Sequence, residues 1–327
     1  MTYPNFKVSV RCFTYNHSKY ITDAMNGFVM QQTNFPFICS IVDDASTDGE
    51  QDVIQKYLDD FFDLSESGLA YRKETDYAYI TYAQHKTNRN CFFVVLFLKE
   101  NHYSQKRSKM EYLNEWRDKC KYEAICEGDD FWIASNKLQM QTDFLDSHSD
   151  YGLIKTDVNR KNEVSGTFEC SIYSTSIYKN VKETFEDYLL NAWWAAPCTW
   201  MYRIGTINTQ HLPQDCFHGD IAMLLSIACK YKIYYYPTTT AVYRVLGQSA
   251  SHFESDMKRI RFYHSVANTR CYYSQFVSGS LKARLFYKLI DESRKLLINR
   301  TFYFSKTNIF IFYIFKYFVK IFFTKNS

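Results

Sequence analysis

Ile125-Cys126-Glu127-Gly128-Asp129-Asp130-Phe131-Trp132 is the stretch of sequence that decides the fold of this chain. It places three carboxylates within four residues, directly after Tyr122 to Cys126, which has the apolar pattern of a buried strand. Carboxylates this close repel one another unless a cation lies between them, and hard oxygen ligands suit Mg²⁺ or Mn²⁺ better than zinc. An ion of this kind usually coordinates the phosphate groups of a ligand. Taken alone, the same acids also fit a solvated turn or a helix N-cap.

The first half of the chain alternates between strand and helix patterns, which is typical of a parallel α/β sheet. The predicted strands are 6–12, 37–42, 92–97, 122–126 and 151–157, and the predicted helices are 19–31, 50–61, 109–119 and 137–145. Ligands of open α/β sheets bind at the carboxyl ends of the strands. We therefore expect Thr14-Tyr15-Asn16, Asp43-Asp44 and the acidic run to converge on one cleft.

Composition excludes several other classes of protein. The chain has 327 residues, of which 46% are apolar and 23% charged, so it can bury a large core in one big domain or two. A net charge of +4, without an aromatic RNA-binding signature, argues against a nucleic-acid partner. The ten cysteines show no C-x-x-C pair and no histidine at zinc spacing. Because a strand pattern already begins at Lys7, we expect no signal peptide and a reducing, cytoplasmic location.

The second half ends in a basic, aromatic tail. Helices are predicted at 185–194, 220–230, 254–276 and 281–299, with extended segments at 196–203 and 232–245, which suggests a second lobe. From Arg300 onward there is no acid, and the uncharged core, Thr307 to Phe315, is too short to span a bilayer. The pattern fits a helix lying at a membrane surface. The alternative is a helix packed on its own domain or on a second subunit.

In order and spacing, the motifs of the first 150 residues resemble those of the family 2 glycosyltransferases of GT-A fold, particularly bacterial enzymes of surface-polysaccharide synthesis. The matching motifs are Val8-Ser9-Val10, Thr14-Tyr15-Asn16, Tyr20-Ile21, Gln31-Gln32-Thr33, Val42 to Gly49, Glu127 to Trp132 and Lys137-Leu138. Three departures are visible: Glu127 is the first acid of the Asp-x-Asp-type motif, Phe13 replaces the usual Pro, and Ala134-Ser135 replace an Asp-Pro pair.

The resemblance implies an α/β, GT-A (nucleotide-diphospho-sugar transferase) fold, with a mostly parallel central sheet flanked by helices and a C-terminal helical extension. Residues 1–150 would form the nucleotide-sugar-binding lobe, 151–253 the acceptor-binding lobe, and 254–327 the C-terminal helices with the basic aromatic tail. The implied activity is an inverting transfer, dependent on Mg²⁺ or Mn²⁺, in cell-surface polysaccharide synthesis. The sugar would pass from a nucleotide-diphosphate donor, with a UDP-sugar favoured, to a hydroxyl of a glycan or lipid-linked acceptor.

The resemblance also implies roles for individual residues near the donor. Asp44 is expected to contact the base, while Thr14 and Asn16 line the nucleotide pocket. Asp129 is expected near the ribose or the metal, and Asp130 on the metal.

On the acceptor side, Phe217 to Met223 is similar to the family's acidic segment that opens a helix. Asp220 is therefore the predicted catalytic base, because an inverting transfer needs a carboxylate that takes the proton of the acceptor hydroxyl. A helix N-cap is the alternative role for Asp220, and Asp215 is the reserve candidate for the base. Tyr243-Arg244, with Gln248, Ser249 and His252, resembles the family's late loop that closes over the diphosphate.

Two other functions remain open from the sequence. A nucleotidyltransferase also holds metal and nucleotide with acidic clusters, but it would need a glycine-rich phosphate loop after the first strand, and 14–19 contains no glycine. A sugar-nucleotide-binding protein without catalytic activity is the second alternative. For a glycosyltransferase with a lipid-linked acceptor, we expect a cytoplasmic protein that the tail holds peripherally at the inner face of the membrane.

Overall fold

The computed structural model describes residues 3–65, 68–192, 194–207, 219–247, 256–298 and 305–323, which form a mixed α/β structure. The strands are β1 (Val8–Thr14), β2 (Phe37–Asp43), β3 (Phe62–Asp63), β4 (Tyr71–Glu74), β5 (Ala78–His85), β6 (Cys91–Leu98), β7 (Tyr122–Ile125), β8 (Phe131–Trp132), β9 (Tyr151–Asn162), β10 (Phe168–Glu169), β11 (Met201–Arg203) and β12 (Lys232–Val245). The α-helices are α1 (Ile21–Val29), α2 (Glu50–Phe61), α3 (Asn114–Arg117), α4 (Lys137–Ser147), α5 (Ile172–Thr175), α6 (Phe185–Asn191), α7 (Gly219–Ala228), α8 (Asp256–Tyr273), α9 (Gly279–Ile298) and α10 (Ser305–Phe322).

These twelve strands form one sheet, in which ten follow the order β3-β5-β6-β2-β1-β7-β11-β9-β12-β8, while β4 pairs with β5 and β10 with β9. The four strands from β6 to β7 run parallel, whereas β5 and β11 flank them antiparallel. Every residue of β2 is buried, as expected of a central parallel strand that is covered on both faces. The parallel strands end at the same edge of the sheet, so the polar turns after β1, β2 and β7 are brought together there.

The helix α1 packs closely against β8, which follows the acidic run. A Cβ added to Gly27 would lie 2.9 Å from the backbone nitrogen of Trp132, so only glycine allows this approach. The Phe28 ring meets the Trp132 ring edge to face, with centroids 5.0 Å apart. The indole Nε1 of Trp132 donates to the carbonyl of Cys198 at 2.7 Å. The end of the acidic run is thereby fixed on both sides.

Most predicted elements match, and three differences are described here. The structure contains β5, which the sequence did not predict, and it replaces the predicted helix 109–119 by a 3₁₀ turn, Met110–Leu113, followed by the short α3. The extended segment 232–245 was expected in a second lobe. As β12, it instead joins the main sheet beside β8, pairing Ala241 with Trp132.

The chain divides into two compact units. The first comprises Met1–Lys179, Ala196–Gly205 and Tyr234–Gly247 and contains nearly all of the sheet; the second comprises Asn180–Ala195, Thr206–Ile233 and Gln248–Ser327 and contains helices α6 to α10. These boundaries differ from 1–150, 151–253 and 254–327, because β9, β11 and most of β12 belong with the first strands. The assignment of donor and acceptor roles to lobes stays a prediction.

In the second unit, α10 packs against α8 and α9. Tyr317 and Ile321 of α10 are buried, and the Tyr317 hydroxyl lies 2.9 Å from Nδ1 of His264 on α8. Lys320 Nζ donates to the Asn268 side chain at 3.0 Å. Large apolar side chains at the end of α10 and just after it are exposed, namely Phe315, Phe318, Val319, Phe322 and Phe323. Of these, Phe318 and Phe322 also contact the ring of Phe286 on α9. Among the helices of the described ranges, none combines the length and apolarity needed to cross a bilayer.

Candidate active site

The turns after β1 and β2 are joined by a buried carboxylate, that of Glu50 at the start of α2. Its Oε2 accepts hydrogen bonds from the backbone N–H of His17 at 2.9 Å and the Ser46 hydroxyl at 2.8 Å, and its Oε1 accepts from the Thr14 hydroxyl. Burial raises the pKa of the Glu50 carboxyl above its ordinary value, and these three hydrogen bonds act in the opposite direction. Glu50 thus holds Thr14 and the turn that follows it.

The same two turns are also linked through Asn16. Its backbone lies in the left-handed region, at φ 57°, which Asn tolerates better than most residues. Its side-chain Oδ1 accepts from the Thr47 N–H at 2.8 Å, and its own N–H donates to the Ser46 hydroxyl at 2.9 Å. The N–H of Ser18 donates to Asp48 at 2.9 Å. Three successive N–H groups after β1, those of residues 16, 17 and 18, therefore bind side-chain oxygens of the neighbouring turn.

The acidic turn folds directly over the end of β1. The Glu127 carboxylate accepts from the Phe13 N–H at 2.9 Å, and the Gly128 N–H donates to the Phe13 carbonyl at 3.0 Å. A Cβ added to Gly128 would overlap the Thr14 side chain, 2.6 Å from its Cβ, so this position requires glycine. The first acid, Glu127, therefore orients the turn by binding the backbone of β1.

Asp129 and Asp130 differ sharply in their surroundings. The Asp129 side chain is 20% exposed and lies 4.0 Å from Nε2 of His17. Asp130 is buried, and its Oδ1 accepts from the Arg244 N–H at 2.8 Å. Burial, together with the charges of Asp129 and Glu127, raises the pKa of the Asp130 carboxyl well above its ordinary value. A nearby cation would relieve the repulsion between these acids.

The donor set fits a divalent ion that takes part of its coordination from a ligand. Asp129 and Asp130 supply the hard oxygens that Mg²⁺ and Mn²⁺ prefer. Over the parts of the chain that the structure describes, no three His, Cys, Asp or Glu side chains come together as a metal site. An ion here would therefore need further oxygens, such as those of a diphosphate and water.

Asp44 lies at the end of β2 and is completely buried. Its carboxylate accepts from the N–H groups of His102 at 2.8 Å and Tyr103 at 3.0 Å, and from Lys109 Nζ at 2.8 Å. The backbone N–H of Asp44 donates to the Thr14 carbonyl at 3.0 Å. Asp44 is thus at the predicted edge of the sheet, where it anchors the segment 101–109 through its carboxylate.

The first unit brings together five of the six predicted site residues: Thr14, Asn16, Asp44, Asp129 and Asp130. The sixth, Asp220, lies exposed in the first turn of α7 in the second unit, and Asp215 is outside the described residues. Glu50, His17 and Lys109 were not predicted as site residues from the sequence. Their roles depend on partners 30 or more residues away along the chain, so no local pattern marks them.

Two glycosyltransferases are among the solved proteins of similar fold. The S. aureus TarS structure of residues 1–349 has a TM-score of 0.55 and 15% identity, over 97% of this chain and 81% of that one. Its complex with UDP-GlcNAc gives 0.56 and 16%, over 97% and 82%. The mannosyltransferase PcManGT from Pyrobaculum calidifontis, in complex with GDP-Man and Mn²⁺, gives 0.51 and 14%, over 100% and 89%. This chain has a glycosyltransferase fold. The expected α/β, GT-A fold class is thereby confirmed.

Sequence comparison is less informative. No protein-family model matches the chain. The uncharacterized proteins Mb1547 of Mycobacterium bovis and Rv1520 of Mycobacterium tuberculosis are each 28% identical over 141 residues, which is 43% of this chain and 32% of theirs. The chain therefore spans about a third of the length of the curated relatives that it matches. Membership of family 2 stays a prediction from the motifs.

Proposed function

We propose that this chain is a family 2 glycosyltransferase that moves a sugar from a nucleotide-diphosphate donor to an acceptor hydroxyl in cell-surface polysaccharide synthesis. One observation carries the proposal: the ends of three parallel strands bring Thr14, Asn16, Asp44 and the acidic turn together at one edge of the sheet. In open α/β sheets this edge is where ligands bind. The complexes of TarS with UDP-GlcNAc and of PcManGT with GDP-Man and Mn²⁺ support the same donor chemistry here.

In this proposal the phosphates bind at the acidic turn and not at the turn after β1. Three N–H groups after β1 already bind side-chain oxygens, among them the carboxylates of Glu50 and Asp48. An anion would have to displace these acids, so a phosphate-cradling loop of the kind that a nucleotidyltransferase needs has no support. Asp129 and Asp130 would hold Mg²⁺ or Mn²⁺, which would neutralise the charge of the leaving diphosphate.

The protein side chains have separate roles. Thr14 and Asn16 shape the pocket through the hydrogen bonds that fix their turn. Asp44 is proposed to contact the base, with uracil favoured, and that contact requires the segment 101–109 to shift because the carboxylate is buried beneath it. Asp220, exposed at the start of α7, is proposed to accept the proton of the acceptor hydroxyl as this oxygen attacks the sugar with inversion.

The experiment that tests the proposal is a panel of UDP-, GDP- and dTDP-sugars with Mn²⁺, in which nucleotide release is followed with and without chelator. Release from at least one donor, dependent on metal and lost in Asp129→Asn, would support it. Donor binding without any turnover would favour the non-catalytic alternative. If none of these donors binds, the proposal is wrong.

We further propose that α10 holds the enzyme at an anionic membrane surface, where a lipid-linked acceptor would lie. The exposed apolar side chains of α10 are Phe315, Phe318, Val319 and Phe322, of which Phe318 and Phe322 also contact Phe286 of α9. The sequence has no acid from Arg300 onward. Exposed apolar side chains suit the boundary between headgroups and acyl chains, and the basic residues suit anionic lipid.

Co-sedimentation with phosphatidylglycerol vesicles tests the membrane contact. Phe315→Ser with Phe322→Ser should move the protein to the supernatant, whereas the exposed Phe276→Ser, outside α10, should not. Unchanged sedimentation of the double variant, or self-association of the wild type without vesicle binding, would contradict the membrane proposal.

A further inference from the structure

Arg244 lies near the end of β12, where this strand passes the acidic turn. The pairing of Val242 with Phe131 in the antiparallel β12–β8 ladder places Arg244 beside Asp129, two residues further along. Its side chain is only 3% exposed. A guanidinium stays charged in proteins and carries five N–H donors, so burial at this depth requires acceptors around it.

Those acceptors come from three separate segments. Nη1 donates to the Asp129 carbonyl at 2.9 Å, Nε donates to Oε1 of Glu163 at 3.0 Å, and Nη2 donates to the carboxylate of Asp23. The guanidinium also lies 4.3 Å from the centre of the Phe131 ring. Through one side chain, the acidic turn is thus connected to α1, which contains Asp23, and to the residue that follows β9.

The main chain of Arg244 adds a second connection, because its N–H donates to Oδ1 of Asp130 at 2.8 Å. Arg244 therefore contacts both predicted metal-site residues. It binds Asp130 through the carboxylate and Asp129 through the carbonyl, so the Asp129 carboxylate is not one of its acceptors. This arrangement orients the turn and leaves the Asp129 side chain for a ligand.

We infer that Arg244 is a positioning residue that fixes Asp129 and Asp130 for metal–diphosphate binding and does not itself bind the diphosphate. The resemblance of Tyr243-Arg244 to a diphosphate-closing loop would imply the opposite role. The inference rests on the proposed function for the identity of the ligand, whereas the positioning itself does not depend on it. A lysine at this position keeps the positive charge, but its single ammonium group cannot donate to three acceptors in the directions that the planar guanidinium does.

The test compares Arg244→Lys with the matched control Arg203→Lys. The guanidinium of Arg203, also in the first unit, donates to more than one acceptor as well. It binds the carbonyls of Tyr151 at 2.9 Å and His148 at 3.0 Å, away from the acidic turn. The first readout needs no ligand: hydrogen exchange of a peptide covering Cys126 to Trp132. Arg244→Lys should raise this exchange about tenfold, and Arg203→Lys should leave it unchanged.

The second readout is the affinity for UDP, measured with Mn²⁺ and with chelator. Arg244→Lys should weaken the Mn²⁺-dependent affinity by about 10- to 100-fold, as loss of an outer-shell partner does, with less than about a twofold change in chelator. Equal losses with and without Mn²⁺ would show a direct phosphate contact and overturn the inference. Unchanged exchange at the acidic turn would also overturn it. If the wild type binds no UDP, the UDP-favoured form of the proposed function fails, and the exchange measurement alone decides the role of Arg244.

Discussion

Gly128 offers the sharpest test of how the acidic turn is built. A Cβ at this position would lie 2.6 Å from the Thr14 Cβ and closer still to its Oγ1, and Thr14 cannot move freely because its hydroxyl is bound to the buried Glu50. Either the turn or the end of β1 must shift in Gly128→Ala. Overpacking of this kind costs about 1–3 kcal/mol of the free energy of unfolding. Because Gly128 lies between Glu127 and Asp129, the same shift should also weaken Mn²⁺-dependent nucleotide binding.

Urea denaturation gives the free energy of unfolding, and nucleotide titration gives the affinity. The control is Gly279→Ala, at the start of α9, where an added Cβ meets nothing within 4 Å. It should be neutral, or stabilising by up to about 1 kcal/mol. If Gly128→Ala is as stable as the wild type and binds nucleotide equally well, the contact between the acidic turn and Thr14 is not as described.

Three further predictions concern buried or exposed ionisable groups. Glu50→Ala should lower the free energy of unfolding by about 2–4 kcal/mol in urea, because three donors lose their acceptor, and Glu50→Gln should cost less; equal stability of all three proteins would contradict this. Burial lowers the pKa of Lys137 to about 7, so above pH 7 the unfolded chain binds a proton that the folded chain does not. The stability difference between wild type and Lys137→Met should therefore shift toward the wild type by up to about 1.4 kcal/mol per pH unit between pH 7 and 9, and a flat difference would refute the burial argument. Asp220→Asn should lower kcat by about 10²- to 10⁴-fold without changing nucleotide affinity, and an unchanged kcat would remove Asp220 from its role.

The sequence predicted the centre of the sheet well because its strands are marked by continuous apolar runs. β2 and β7 were predicted to within one residue, and the acidic turn was placed correctly at a strand end. β5 was missed because it lies outside the parallel core and pairs antiparallel with β6, so its pattern is less regular. The predicted helix 109–119 is shorter in the structure. Leu113 and Trp116 of this segment pack into the core beside residues of β5 and β6, and helix periodicity does not encode that contact.

The sequence predicted which residues the candidate site contains, but not the long-range contacts that bury and orient them. Its acids follow strands, and that local feature can be read directly from the sequence. The burial of Asp44 beneath 101–109 and the connection of Arg244 to Asp23 are long-range contacts between segments with no shared pattern. The sequence predicts a helix that begins at Glu50, but it does not show that the Glu50 carboxylate accepts a hydrogen bond from the Thr14 hydroxyl.

Calorimetric titration of UDP into the wild type and Asp129→Asn, each with Mn²⁺ and with chelator, tests the central claim most directly. The account predicts that Mn²⁺ raises the affinity of the wild type at least about tenfold and that Asp129→Asn abolishes this gain while it keeps the weaker, metal-free affinity. Equal affinity of the wild type with Mn²⁺ and with chelator, or a full Mn²⁺ gain in the variant, would contradict the claim that the acidic turn holds a metal-bound diphosphate.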